Sequence, residues 1–163
     1  MITTCSPRNS DLVKSLGAAA AFDYKDPDCA SQIKQFAHNN LKLVWDCIAL
    51  EPSAKICAEA IAAGGVYASL LDVKLPRDDV EVKTTLGYTC VGEPVVKPWV
   101  QLPDNSADFE FMKKFIKVAE PLLEAGKLKV HPPKVGKGLE NVFQGLDLLR
   151  HDKVSGQKLV YTL

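Results

Sequence analysis

A chain of 163 residues that is 47% hydrophobic and 25% charged is long enough to bury a sizeable core, as one ordinary soluble globular domain. Twenty basic residues balance twenty acidic ones, so no net field draws the chain to nucleic acid or to an anionic membrane. No apolar run approaches the roughly 20 residues of a membrane span, and the N-terminus has no basic-then-apolar leader, so the expected location is cytoplasmic.

The opening Met1-Ile2-Thr3-Thr4-Cys5 reads as a short strand running into a helix, with Ser6 as N-cap and Pro7 in the first turn. Leu12, Val13 and Leu16 share one side of that helix, and Gly17 ends it. Residues 19–22 form a short apolar strand. Asp26-Pro27 repeats the cap-plus-proline signal before a second helix striped with Cys29, Ile33, Phe36 and Ala37. Residues 41–47 are almost continuously apolar, as a parallel strand buried on both faces should be.

Pro52 and Ser53 open a third helix that turns Ile56, Cys57, Ala60 and Ile61 inward. Gly64-Gly65 closes it ahead of another buried strand at 66–71. Strand, helix, strand, helix, strand at short loop lengths predicts a parallel sheet with right-handed crossovers.

Residues 80–91 supply one or two strands, with Thr84, Thr85 and Tyr88 suited to a pleated surface. Residues 93–104, with three prolines and a tryptophan, read as a surface loop. Phe109, Met112, Phe115, Ile116, Ala119, Leu122 and Leu123 recur at helical spacing, and Pro121 is expected to kink or divide that helix. His131-Pro132-Pro133 is an extended connector. Leu139, Val142, Phe143, Leu146 and Leu149 form another amphipathic helix, and Ser155-Gly156-Gln157 turns into a closing strand at 158–163.

Five scattered cysteines (Cys5, Cys29, Cys47, Cys57 and Cys90) form no C-x-x-C pair, and the three histidines are not paired at helical spacing with another ligand type. Reduced, mostly buried thiols and no metal site are therefore expected. Asp78, Asp79 and Glu81 sit in a polar turn and read as solvated.

Ser6, Pro7, Arg8 and Asn9 make the best candidate for an anion site. A helix start offers N–H groups, Ser6 a hydroxyl and Arg8 a bidentate partner for phosphate. The plainer alternative is that Ser6 only caps the helix and Arg8 is a solvated charge.

The ordered set Thr-Thr-Cys-Ser-Pro-Arg-Asn (3–9), Leu-Gly-Ala (16–18), Phe-Asp-Tyr (22–24), Trp-Asp-Cys-Ile (45–48), Gly-Gly-Val-Tyr-Ala-Ser-Leu (64–70) and Ser-Gly-Gln-Lys-Leu-Val (155–160) resembles one family across the whole chain. It is similar to the C-terminal part of the zinc-independent medium-chain dehydrogenase/reductases, above all the trans-acting enoyl reductases that serve fungal polyketide synthases. The resemblance implies an α/β fold: a truncated Rossmann-like parallel sheet flanked by helices, with a C-terminal helix–strand tail. Residues 1–163 then make a single truncated dinucleotide-binding domain, with a core at 1–131 and a returning tail at 132–163. Family members are about twice as long, and their GroES-like domain and first Rossmann strand with its glycine-rich turn have no counterpart in these residues.

By the same resemblance the cofactor is NADPH, with Arg8 and its neighbours at the 2′-phosphate. Tyr24 lies near the adenosine end, Leu71 and Asp72 near the nicotinamide, and Val154 and Ser155 in a tail turn that touches the cofactor. The absence of an acid at the first strand's end fits NADP better than NAD. Gly92, Glu93, Pro94, Val95 and Val96 border the acyl-substrate pocket of relatives. No catalytic residue is assigned.

Two or three missing charge-assisted hydrogen bonds, at roughly 1.5–3 kcal/mol each, would weaken cofactor binding by several powers of ten. Expected partners are a polyketide or acyl-thioester small molecule, a polyketide synthase, and a second copy of the chain in a homodimer that covers the sheet edge. Two alternatives stand beside the reductase: a cofactor-independent cyclase or isomerase acting on a polyketide-derived substrate, and a non-catalytic module that dimerises or docks on a synthase.

Overall fold

The computed structural model describes residues 1–98, 100–102 and 105–163. The chain is a mixed α/β protein with parallel strand pairs and helices between them. It divides into two compact units, one of Met1–Ala21 with Leu122–Leu163 and one of Phe22–Pro121.

The first unit opens on β1 (Ile2–Thr4), a 3-10 turn (Pro7–Asn9), α1 (Ser10–Ser15) and β2 (Ala20–Phe22). The expected single helix from Ser6 is thus a tight turn followed by a short helix. Gly17, at φ +104°, ends it as anticipated. β1 and β2 pair as a two-stranded sheet, and Ala19 N–H donates to the Met1 carbonyl at 2.8 Å.

The C-terminal part of this unit carries β8 (Pro133–Lys137), a 3-10 turn (Leu139–Asn141), α5 (Val142–Arg150) and β9 (Lys158–Thr162). β8 replaces part of the expected extended connector. It pairs in parallel with β9, Gly136 opposite Tyr161. Gly136 and Gly145 make room for the Tyr161 ring. A Cβ at Gly136 would lie 2.6 Å from Tyr161 Cε1, and one at Gly145 would strike the phenol oxygen.

The second unit holds the parallel sheet β3-β4-β5 (Leu43–Asp46, Val66–Ser69 and Glu81–Thr84) in sequence order. α3 (Glu51–Ala60) is the crossover from β3 to β4 and packs against α2 (Cys29–Phe36). Ala54 and Ala58 of α3 are small enough to bring the helix down onto Tyr67. Ile61, Leu75 and Val80 complete the core. Burying a side chain the size of Ile61 stabilises by about 1.5–3 kcal/mol.

Several expectations of burial need correcting. β3 alternates instead of being buried throughout. Val44 packs against the core, whereas Leu43 and Trp45 on the other face are 65% and 59% exposed. Phe36 of α2 is also half exposed, although its ring meets Phe22 edge-on at 5.8 Å. Among the five cysteines only Cys29 is buried, and Cys47 is exposed.

After β5 the chain forms a 3-10 helix (Gly87–Val91), not a second strand, so Tyr88 is not on a pleated surface. The expected loop contains an antiparallel hairpin, β6 (Val95–Lys97) with β7 (Val100–Leu102). Trp99, Pro103 and Asp104 of that stretch lie outside the described residues. α4 (Ser106–Glu124) runs through Pro121 without dividing, and its apolar stripe is largely exposed, Phe115 at 51% and Ile116 at 44%, as is the neighbouring Phe111 at 66%. No helix among the described residues is long and apolar enough to cross a membrane.

Candidate functional site

Within the first unit, two segments far apart in sequence meet at one hydroxyl. Arg8 and Asn9 occupy the 3-10 turn that follows β1, and Ser155 lies in the turn that precedes β9. Ser155 Oγ accepts from Arg8 Nε at 3.1 Å and from Asn9 Nδ2 at 2.9 Å. Three residues singled out from the sequence are therefore joined. Val154 stands beside them, half-buried.

The local sequence explains the geometry. Ser6 is extended at φ −63° and ψ 143°, Pro7 fixes the start of the turn, and the Asn9 N–H closes it on the Ser6 carbonyl at 2.8 Å. On the other side Gly156, at φ +63°, lets the tail turn press close. A Cβ there would lie 2.9 Å from Asn9 Oδ1 and 3.0 Å from Leu12 Cδ2.

This changes the basis of the anion reading. Pro7 has no N–H, and those of Asn9 and Ser10 are spent on the Ser6 and Pro7 carbonyls within the turn. The anion-directed groups that are seen to converge are side chains: a permanent cation, an amide and a hydroxyl, with no carboxylate in the hydrogen-bonded set. Such a donor set suits a phosphate.

In the second unit, the carboxyl end of β3 carries a buried polar knot around Asp46, 4% exposed, that reaches Tyr67 on β4. Its Oδ1 accepts from the Ile48 and Ala49 N–H groups at 3.0 and 2.9 Å. Its Oδ2 accepts from the Ser53 and Tyr67 hydroxyls at 2.8 and 2.9 Å. Ala49 is held at φ +51°, unusual for a residue with a Cβ. Burial, and then the hydrogen bond to Asp46, raise the Tyr67 phenol above its ordinary value.

The knot turns the chain sharply, leaving Cys47, Ile48 and Leu50 exposed at the sheet's carboxyl edge. Asp46 entered the sequence reading only as a letter of a motif. The signal for its role was an acid ending an apolar strand, with a serine seven residues on.

Leu71 and Asp72 follow directly from β4, which ends at Ser69. Both are exposed, Leu71 at 54%, so they stand at the carboxyl edge and outside the core. Tyr24, 45% exposed, has Lys25 Nζ 6.0 Å from its ring centroid.

Gly92, Glu93, Pro94, Val95 and Val96 lead into and along β6, so this segment is part turn and part strand. Gly92, at φ +78°, lies over Phe109, whose ring a Cβ would meet at 3.0 Å. Lys113 Nζ sits 4.8 Å from the centroid of the same ring. Val96 is 70% exposed. The candidate residues thus divide: Arg8, Asn9 and Ser155 are brought together in the first unit, while Tyr24, Leu71, Asp72 and residues 92–96 occupy the second.

No protein-family model matches the chain. In sequence it is similar over its whole length to a trans-enoyl reductase of Alternaria alternata, at 46% identity, covering 48% of that protein. A trans-enoyl reductase of Gibberella zeae is 40% identical over 99% of this chain and 47% of its own length. A dual trans-enoyl reductase/FAD-dependent monooxygenase of Aspergillus terreus is 47% identical over 92% of this chain and 22% of its own. The chain therefore spans about half the length of the trans-enoyl reductases it matches, and less of the dual protein.

Among solved structures, the ER cyclopropanase CurF of curacin A biosynthesis superposes with a TM-score of 0.68, covering 99% of this chain and 47% of that one, at 18% identity. A quinone oxidoreductase of Pseudomonas syringae does so with a TM-score of 0.68, covering 99% of this chain and 48% of that one, at 20% identity. At these identities the likeness is one of fold.

Proposed function

We infer, from a chain that belongs to the trans-enoyl reductases of the medium-chain dehydrogenase/reductase superfamily, that it binds NADPH and takes part in reducing an α,β-unsaturated acyl thioester carried by a polyketide synthase. The observation that carries this reading is the convergence of Arg8, Asn9 and Ser155.

Arg8 meets the charge of a 2′-phosphate, and Asn9 and Ser155 add neutral hydrogen bonds beside it. NADPH, when bound, supplies the reducing equivalent, and the product is the saturated thioester, with one hydrogen gained at the β-carbon and one at the α-carbon. In the second unit, taken by itself, Leu71 and Asp72 stand at the carboxyl end of β4, where ligands of open parallel sheets bind, and the family likeness motivates proposing them, with Tyr24, as cofactor residues of that unit.

The segment Gly92, Glu93, Pro94, Val95 and Val96 borders the acyl chain in this reading. Its apolar side chains suit a hydrocarbon, and the seating of Gly92 on Phe109 gives it a fixed base. The Asp46 knot shapes the neighbouring turn and stays out of solvent, so it acts on structure and not on the reacting atoms. The exposed stripe of α4, with Phe115 and the neighbouring Phe111, is the face we assign to the synthase, in the cytoplasm.

The test is to incubate the chain with NADPH and an enoyl N-acetylcysteamine thioester and identify products by mass spectrometry. NADPH-dependent formation of the saturated thioester supports the reading. Turnover to an isomer or cyclised product without cofactor, or no cofactor binding at millimolar NADPH, overturns it.

A further inference from the structure

Resting on the cofactor reading above, we propose that Ser155 is a positioning residue that sets the selectivity of the site for a 2′-phosphate by holding the guanidinium of Arg8. The sequence separation of 147 residues makes this a contact that only the folded first unit supplies.

A serine hydroxyl has two lone pairs and one proton. In this unit both lone pairs are engaged, one by Arg8 Nε at 3.1 Å and one by Asn9 Nδ2 at 2.9 Å. The hydroxyl proton is then left as a donor for a ligand. The guanidinium can bind a phosphate through its Nε edge or through its two terminal nitrogens. With Nε engaged by Ser155, the bidentate edge left open is the Nη1–Nη2 pair. Ser155 thus selects one of two binding modes and reduces the freedom of a long side chain that would otherwise be lost on binding.

The tail turn is built to hold this arrangement. Gly156 adopts φ +63°, and the space where its Cβ would stand is occupied by Asn9 Oδ1 and Leu12 Cδ2. A side chain at 156 would push the turn away from Asn9 and draw the Ser155 hydroxyl off its two donors. Phosphate selectivity therefore depends on a residue of the tail that acts through Arg8, and on a glycine that lets the tail approach.

The experiment is calorimetric titration of the whole chain with 2′,5′-ADP and with 5′-AMP at one ionic strength, for the wild type, Ser155→Ala, Ser155→Thr and Gly156→Ala. The expected result is a wild-type preference for 2′,5′-ADP. In Ser155→Ala and Gly156→Ala, 2′,5′-ADP affinity falls about tenfold, or about 1.4 kcal/mol, with 5′-AMP unchanged, and in Ser155→Thr it is retained. A wild-type preference that survives in Ser155→Ala, or an equal loss for both ligands, overturns the role of Ser155 while leaving the cofactor site in place. A wild type with no preference overturns the site itself. Thermal midpoints for each variant show whether it is folded, and Gly156→Ala tests the same contact with the hydroxyl retained.

Discussion

The hydroxyl of Tyr67, on β4, donates a 2.9 Å hydrogen bond to Asp46 Oδ2 at the end of β3, and both residues are buried. The same carboxylate accepts from Ser53 and from two backbone N–H groups, so one side chain ties two strands to the start of α3. Replacing Asp46 by Ala would leave up to four donors without their acceptor. A loss of about 3 kcal/mol in urea unfolding is expected, against about 1–2 kcal/mol for Tyr67→Phe, which removes a single donor. Equal effects of the two variants would contradict the central place of Asp46.

The fit of Tyr161 between two glycines gives a second test. Gly145→Ala places a methyl group against the Tyr161 phenol and is expected to cost about 1–2 kcal/mol, even after the better helix propensity of alanine. Tyr161→Phe removes the oxygen that the new methyl meets. The double variant is therefore expected to lose less than the sum of the two single changes, which a double-mutant cycle in urea measures directly.

Alkaline pH acts on the core of the second unit. Burial, then the nearby Asp46 charge, pushes the Cys57 thiol from 9.0 up to about 12. The Tyr67 phenol is raised as well, first by burial and then by its bond to Asp46. In the folded chain both keep their protons at pH values where the unfolded chain has released them. The contribution of Cys57 is full below a pH of about 9 and is lost as pH rises towards about 12, and that of Tyr67 begins to fall only above a pH of about 10, at about 1.4 kcal/mol per pH unit for each group within its own window. Urea midpoints in reducing buffer across that window, with Tyr67→Phe reducing the slope, check it.

Much of this architecture was legible in the sequence because local signals agreed with the fold. Gly17, the cap-and-proline pairs and the apolar runs at 41–47 and 66–71 mark the elements, although the strands themselves are shorter, Leu43–Asp46 and Val66–Ser69. Burial was less legible. Leu43 and Trp45 read as core because apolar type reports a preference for burial and does not reveal whether a partner layer exists. The hairpin around residues 95–102 was obscured by its prolines, and Tyr88 looked strand-like although it lies in a 3-10 helix.

The site shows the same division. The residue types at 6–9 pointed to an anion and the family resemblance added 154–155, but the hydrogen bonds that join Arg8, Asn9 and Ser155 exist only once the two ends of the chain meet. Asp46 was hidden for a similar reason, since its partners Tyr67 and Ser53 come from different elements.

We propose that Arg8 and its two neighbours recognise the 2′-phosphate of NADPH. Calorimetric titration of the chain with NADPH and NADH, before and after Arg8→Ala, tests it most directly. The expected result is tighter binding of NADPH than of NADH by about tenfold or more, equivalent to at least about 1.4 kcal/mol, with the difference abolished by Arg8→Ala. Equal affinity for the two cofactors in the wild type, or a preference for NADPH that Arg8→Ala leaves intact, would contradict it.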